Sequence, residues 1–222
     1  MEISKKTNEY MARFFPPENE LIKEMQEYAQ EYNIPIMDDE GIYTMLMILE
    51  INQTEKILEI GTAIGYSAIR MLEFLPGSAV ISLERDLSRA ATAREYIQKA
   101  GMENRFQLIE GDALDVFAEV EASAPYDVLF IDAAKGQYEK FFQLYEPLVK
   151  EGGLIVSDNV LFKGFVTGEN KPESRRMKKM VDRIHDFNTS LMNHPRFHTF
   201  LLPAGDGLLV SRKQKHAVSS GR

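Results

Sequence analysis

The sequence predicts an α/β fold: a mostly parallel, seven-stranded sheet with helices on both faces and an antiparallel hairpin at its end. From "KILEI" to "GGLIVSD", short β-type runs alternate with longer segments of helical spacing, as strand–helix–strand units do. The last two runs, "RFHTFLLP" and "GLLVSRK", are separated only by "AGD", too short a link for a parallel crossover. The chain has 222 residues, 44% of them hydrophobic, and no linker-like stretch, which suits one sizeable core and one domain. The expected division is N-terminal helices over 1–52, the sheet and its helices over 53–213, and a disordered polar tail over 214–222.

The elements follow in order. "NELIKEMQEYAQEY" places Leu21, Met25, Tyr28 and Tyr32 on one helical face, and after Pro35 "DDEGIYTMLMILEI" supplies a second helix. Five β-type runs come next: "KILEI", "AVISLE", "RFQLIEG", "YDVLFID" and "GGLIVSD". Between them "LSRAATAREYIQKAG" and "QYEKFFQLYEPLVKEGG" have helical spacing, and a further helix spans roughly 172–193 before the closing hairpin.

Composition excludes several classes. Without cysteine, neither a disulfide framework nor a thiolate metal site is available, and a reducing cytoplasm is the expected setting. The polar start lacks an apolar signal-type run, and no stretch is long enough to cross a bilayer, so no membrane role is expected. The net charge of −8 argues against indiscriminate nucleic-acid binding but leaves local patches open.

The chemistry-bearing residues gather at the ends of the β-type runs. "ILEIGTAIGYSAIRM" puts Glu59, Gly61 and Gly65 where a strand gives way to a helix, leaving backbone N–H groups and a helix start free for a ligand. The G-x-x-x-G spacing lacks one glycine of the dinucleotide fingerprint, and Glu59 would repel a pyrophosphate, so a ligand with an amino or cationic end fits better. Glu84, Asp112 and Asp132 end the next three runs. One such acid reads equally well as a helix cap, but a succession along one sheet edge reads as a binding site. Asp158 and Asn159 close the fifth run. With Asp132 they form a hard-oxygen set suited to Mg2+, Mn2+ or Ca2+, or else "SDN" is simply an Asx turn.

In order, "LEIGTAIGYSA", "LERD", "GDAL", "FIDAAKGQYEKFF", "GGLIVSDNVLFKG" and "GDGLLVSRK" resemble the motifs of the cation-dependent, S-adenosylmethionine-using O-methyltransferases that include the catechol and caffeoyl-CoA enzymes. The resemblance runs from about residue 35 to residue 213 and implies a Rossmann-like class I methyltransferase sandwich. Through "PIMDDEG", "AIGYSAIRM", "DAAKGQY", "NVLFKG" and "LMNHPRF" the chain is most similar to the bacterial members that methylate 5-hydroxyuridine in tRNA. The resemblance implies that Glu59 and the turn Gly61–Gly65–Ser67 hold the methionine end of the cofactor, with Ser67 on its carboxylate. It gives the ribose hydroxyls to Glu84, the adenine to Asp112 and Ala113, a covering role to Met37, and a role toward both cofactor and metal to Asp132.

Three protein ligands would leave roughly three positions on an octahedral cation, enough for two adjacent substrate oxygens. Catechols have such a pair, and so does 5-hydroxyuracil. Lys135, near the expected start of a helix, where the dipole disfavours a cation, reads either as a base or oxyanion partner or as a solvated lysine. Residues 163–183 carry net charge +4 against −12 for the rest. Lys163, Arg175, Arg176, Lys178 and Lys179 are accordingly candidate tRNA contacts, or an ordinary charged surface. The function expected is methylation of wobble 5-hydroxyuridine to 5-methoxyuridine. A small catechol-like or caffeoyl-CoA-like phenol is the alternative substrate, and a nucleotide-binding module without methyl transfer the alternative of another class. The N-terminal helices are expected to pair subunits into a homodimer.

Overall fold

The computed structural model of the chain describes residues 10–215. Seven strands form one sheet: β1 Lys56–Ile60, β2 Ala79–Glu84, β3 Phe106–Glu110, β4 Tyr126–Ile131, β5 Val149–Ser157, β6 Phe197–Leu202 and β7 Leu208–Lys213. Their order across the sheet is β3-β2-β1-β4-β5-β7-β6. The first five pair in parallel, whereas β7 lies antiparallel between β5 and β6. This Rossmann-like arrangement with its terminal hairpin is the fold expected from the sequence. Strand order reverses between β1 and β4, and in such sheets ligands bind outside the carboxyl ends at that reversal.

Seven α-helices among the described residues flank the sheet: α1 Glu20–Glu31, α2 Asp39–Ile51, α3 Tyr66–Phe74, α4 Leu87–Ala100, α5 Phe117–Glu121, α6 Tyr138–Tyr145 and α7 Arg175–Met192. Four begin on side chains that accept from the first turn's free N–H groups: Asn19 from Ile22 at 2.9 Å, Asp38 from Gly41 at 2.8 Å, Asp86 from Ser88 and Arg89, and Ser174 from Met177 at 3.1 Å.

Alternation along the central strands divides the core into two layers. Ile57, Val128, Phe130 and Val156 face the layer formed with α1–α4, including Met25, Leu46, Leu49 and Ile69. Leu58, Leu129, Ile131 and Ile155 face the opposite layer with Phe141, Phe142, Tyr145, Ile184 and Phe187. The α1 face differs from the expected one. Ile22, Met25 and Ala29 are buried while Tyr32 is 57% exposed, because the helix lies against α4, where Tyr28 meets the edge of Tyr96, and so turns its stripe by about one residue.

The tail begins in register with the sheet, since the Gln214 N–H donates to the Arg196 carbonyl at 2.8 Å. From residue 216 the expected disordered segment lies outside the described residues.

Candidate functional site

Backbone geometry builds the rim before any side chain does. Beyond their last paired residues the strands remain stitched together. Gly61 N–H donates to Leu83 at 2.9 Å, Asp132 N–H to Ile60 at 3.0 Å, Asp158 N–H to Ile131 at 3.1 Å, and Gly111 N–H to Glu84 at 2.9 Å. Gly61 has φ +93°, and a Cβ there would stand 2.2 Å from the Asp132 carbonyl oxygen. Glycine is required at this position because the backbone leaving β4 crosses it, with or without a ligand. Gly65, at φ +85°, starts α3 and would bring a Cβ to 3.4 Å from Ala93 Cβ on α4.

A cleft of about 290 Å3 opens over this rim, and Gly61, Glu84, Asp112, Ala113, Asp132, Lys135 and Asn159 all line it. Glu84 is buried with one oxygen accepting from Ala63 N–H at 2.9 Å and the other from Asp86 N–H at 2.8 Å. Its carboxylate is thus fixed, with lone pairs left for a diol. Asp112 accepts from Leu114 N–H at 3.0 Å and stands 3.5 Å from the Arg85 guanidinium.

Glu59, Gly65, Ser67, Met37 and Asp158 do not line this cleft. Glu59 is fully buried, and its two carboxylate oxygens accept from Ser67 and Ser82. Burial pushes the Glu59 carboxyl above the usual range against the pull of those hydroxyls. Ser67 therefore points at Glu59, and its expected place on a cofactor carboxylate would need a turn of its hydroxyl. Met37 is 5% exposed and packed into the core on the α1–α4 side.

The other half of the rim is anionic. Burial raises the Asp132 carboxyl to about 6, with Lys135 pulling it down and Glu59 pushing it up. Asp158 is 3% exposed, and burial, then the nearby Asp132 charge, raises its carboxyl well above the ordinary range. The Asn159 N–H returns to Asp158 Oδ1 at 2.6 Å, the Asp158 carbonyl accepts from the Tyr138 hydroxyl at 3.0 Å, and Lys135 Nζ donates to Asn159 Oδ1. An ammonium thus already sits on the amide oxygen of this set. Two carboxylates and an amide suit a hard divalent cation, and a second positive charge would relieve the proximity of Asp132 and Asp158. Among the described residues no group of three or more His, Cys, Asp or Glu could hold a metal, so any such site uses the amide as its third protein donor.

The loop after β5 is propped from below. Val160 N–H donates to the Gly207 carbonyl at 3.1 Å and Leu161 N–H to the Asp206 carbonyl at 2.9 Å, while Lys163 N–H reaches the Asp206 carboxylate. Asn159, Phe162 and Lys163 have φ of 55°, 48° and 52°, sparsely populated conformations held by these bonds. Lys163, Arg175, Arg176, Lys178 and Lys179 are all exposed. Further along α7, Arg183 stands 3.5 Å from the Gly136 carbonyl, so the helix runs beside the turn that carries Lys135.

Sequence reasoning missed Arg85 and Arg89, which also line the cleft. Arg85 directly follows Glu84, and adjacency to a strand-end acid was the available signal. It also missed Tyr138 and Asp206, whose contacts with the loop after β5 are long-range and leave no local trace.

A family profile described as "O-methyltransferase" matches residues 9–214. The chain is similar to caffeoyl-CoA O-methyltransferase 2 of Populus trichocarpa, at 33% identity over 90% of this chain and 85% of that protein. It is also similar to a catechol O-methyltransferase of Niastella koreensis, at 36% identity over 67% of this chain and 70% of that protein. Among solved structures, an O-methyltransferase from Bacillus cereus in complex with SAH superimposes with TM-score 0.80 at 26% identity, covering 94% of this chain and 97% of that one. A provisional caffeoyl-CoA O-methyltransferase from Staphylococcus aureus does so with TM-score 0.88 at 35% identity, covering 94% and 100%.

Proposed function

The chain belongs to the O-methyltransferase family, and from that premise we propose that it methylates one of two adjacent oxygens on its substrate, using S-adenosylmethionine and a divalent cation. The observation that carries this reading is the convergence of Asp132, Asp158 and Asn159 beside a cleft lined by Gly61, Glu84 and Asp112. S-adenosylmethionine supplies an electrophilic methyl group. Asp132, Asp158 and Asn159 would hold a divalent cation, which would supply Lewis-acid activation of a substrate hydroxyl. The protein does the rest by orientation. Glu84 takes the ribose diol, Asp112 and the backbone at Ala113 take the adenine, and the Gly61 turn takes the amino-acid end.

Lys135 lines the cleft and serves as the base for the substrate hydroxyl or as the counter-charge to the oxyanion. Lys135→Ala should lower turnover roughly 100-fold or more while leaving SAH affinity in calorimetry unchanged. Near-normal turnover with an unaltered pH–rate profile would remove it from the chemistry.

For the substrate we put forward 5-hydroxyuridine at the wobble position of tRNA. The support is charge: the exposed basic residues of the loop after β5 and of α7 adjoin the Lys135 turn through Arg183, and a phosphate backbone is what such a surface suits. A phenol with vicinal hydroxyls is the second reading, and the names of the relatives favour it. Supplying purified protein with labelled S-adenosylmethionine and, in parallel, 5-hydroxyuridine-containing tRNA and a catechol decides between them. Label on the catechol alone would overturn the tRNA reading, and full activity in excess EDTA would overturn the metal.

A further inference from the structure

Lys135 Nζ donates to the Asn159 side-chain oxygen, the atom that the proposed reading gives to the divalent cation. Lys135, Asp132 and Asn159 all line the same cleft. The Phe162 ring lies 5.7 Å from the same Nζ, close enough for its face to favour a cation. Asn159 and Phe162 hold it from left-handed backbone positions at φ 55° and 48°, conformations that persist only where the surroundings impose them.

The amide oxygen has two lone pairs, but an ammonium and a divalent ion on that one atom repel each other. Resting on the metal-assisted reading above, we propose that Lys135 holds the cation's place in the metal-free protein and that metal binding displaces it from Asn159 toward the cleft. The side chain read as a catalytic group becomes available only when the ion has arrived. Without metal, the ammonium occupies the amide donor of the set and places a positive charge beside the two carboxylates. The cost is affinity, because the incoming ion must expel a charge already in residence.

The test reads metal binding without turnover. Mn2+ is titrated by calorimetry or electron paramagnetic resonance into wild type, Lys135→Met and Lys140→Met at pH 8, with SAH binding as the check that each variant is folded. Lys140, exposed on α6, controls for general surface charge. We expect Lys135→Met to bind Mn2+ about tenfold more tightly or better and Lys140→Met to stay within about twofold of wild type. Should Lys135→Met fail to bind SAH, Lys135→Gln carries the comparison. Binding by wild type with no gain in the neutral variant, or an equal gain from Lys140→Met, overturns the inference and leaves the metal reading standing. No saturable Mn2+ binding in wild type and variant alike overturns both.

Discussion

With its carboxyl 3% exposed and the Asp132 charge beside it, Asp158 is costly to ionise until a cation joins it. Both groups hold their protons more tightly when folded, Asp132 up to about 6 and Asp158 higher than usual. Between roughly pH 4, the unfolded carboxylate range, and these raised values, the folded state binds more protons than the unfolded chain. Stability of the metal-free protein should therefore fall as pH rises through that window. Asp158→Asn removes the charge and keeps the shape. In EDTA at pH 8 it should melt higher than wild type by roughly 2–4 °C, an advantage that fades as pH is lowered toward 4, while methyl transfer collapses and SAH still binds. Scanning fluorimetry at the two pH values reads the first part, and a lower melting point at pH 8 would contradict it. Gly61 makes the opposite case, a residue that tolerates no side chain. Gly61→Ala should cost about 3 kcal/mol or more of folding stability, measured by urea unfolding, because its methyl group would collide with the Asp132 carbonyl. The sequence reads the two glycines as room for a ligand. Their φ values and crossing backbones come from strands and helices far away in the chain, which no local pattern records. Ser67 is similar: its place at a helix start is legible, but its turn toward buried Glu59 depends on where the neighbouring strand sets Ser82.

At the scale of elements, strands were legible because they alternate with helices, and the acids at their ends because each closes an apolar run. The α1 stripe was misjudged by a residue because spacing alone does not distinguish Leu21 and Tyr28 from Ile22 and Ala29; packing against α4 decides it. Helix α7 was legible as basic, and its position beside the Lys135 turn was not. Reversing Arg175, Arg176, Lys178 and Lys179 to Glu should weaken tRNA binding and flatten its salt dependence, by about 0.7–0.9 in log–log slope for each phosphate that the helix no longer neutralises. Methylation of a small phenol or free nucleoside should survive, since the rim residues are untouched. Filter binding across a salt series measures this, and an unchanged slope would make the helix an ordinary charged surface.

On the whole molecule, the N-terminal helices close one layer of the core but leave apolar groups outside. Met47 is 48% and Ile51 77% exposed, one turn apart on α2. A homodimer through this face would cover them. Sedimentation velocity should give twice the chain's mass for wild type and the single mass for the double variant Met47→Asp/Ile51→Asp; a wild-type monomer would dismiss the pairing. Another whole-chain property follows from β7, which lies between β5 and β6 and is preceded by the turn that props the Asp158 loop through Asp206 and Gly207. On a ribosome, β5 and the Asp158–Asn159 pair emerge about fifty residues before that support. A nascent chain thus carries every donor of the proposed ion site while its loop still lacks the bonds that hold it, and β6 has no neighbour to join. The proposed ion site would therefore gain its support only once β7 has threaded back into the sheet beside β5.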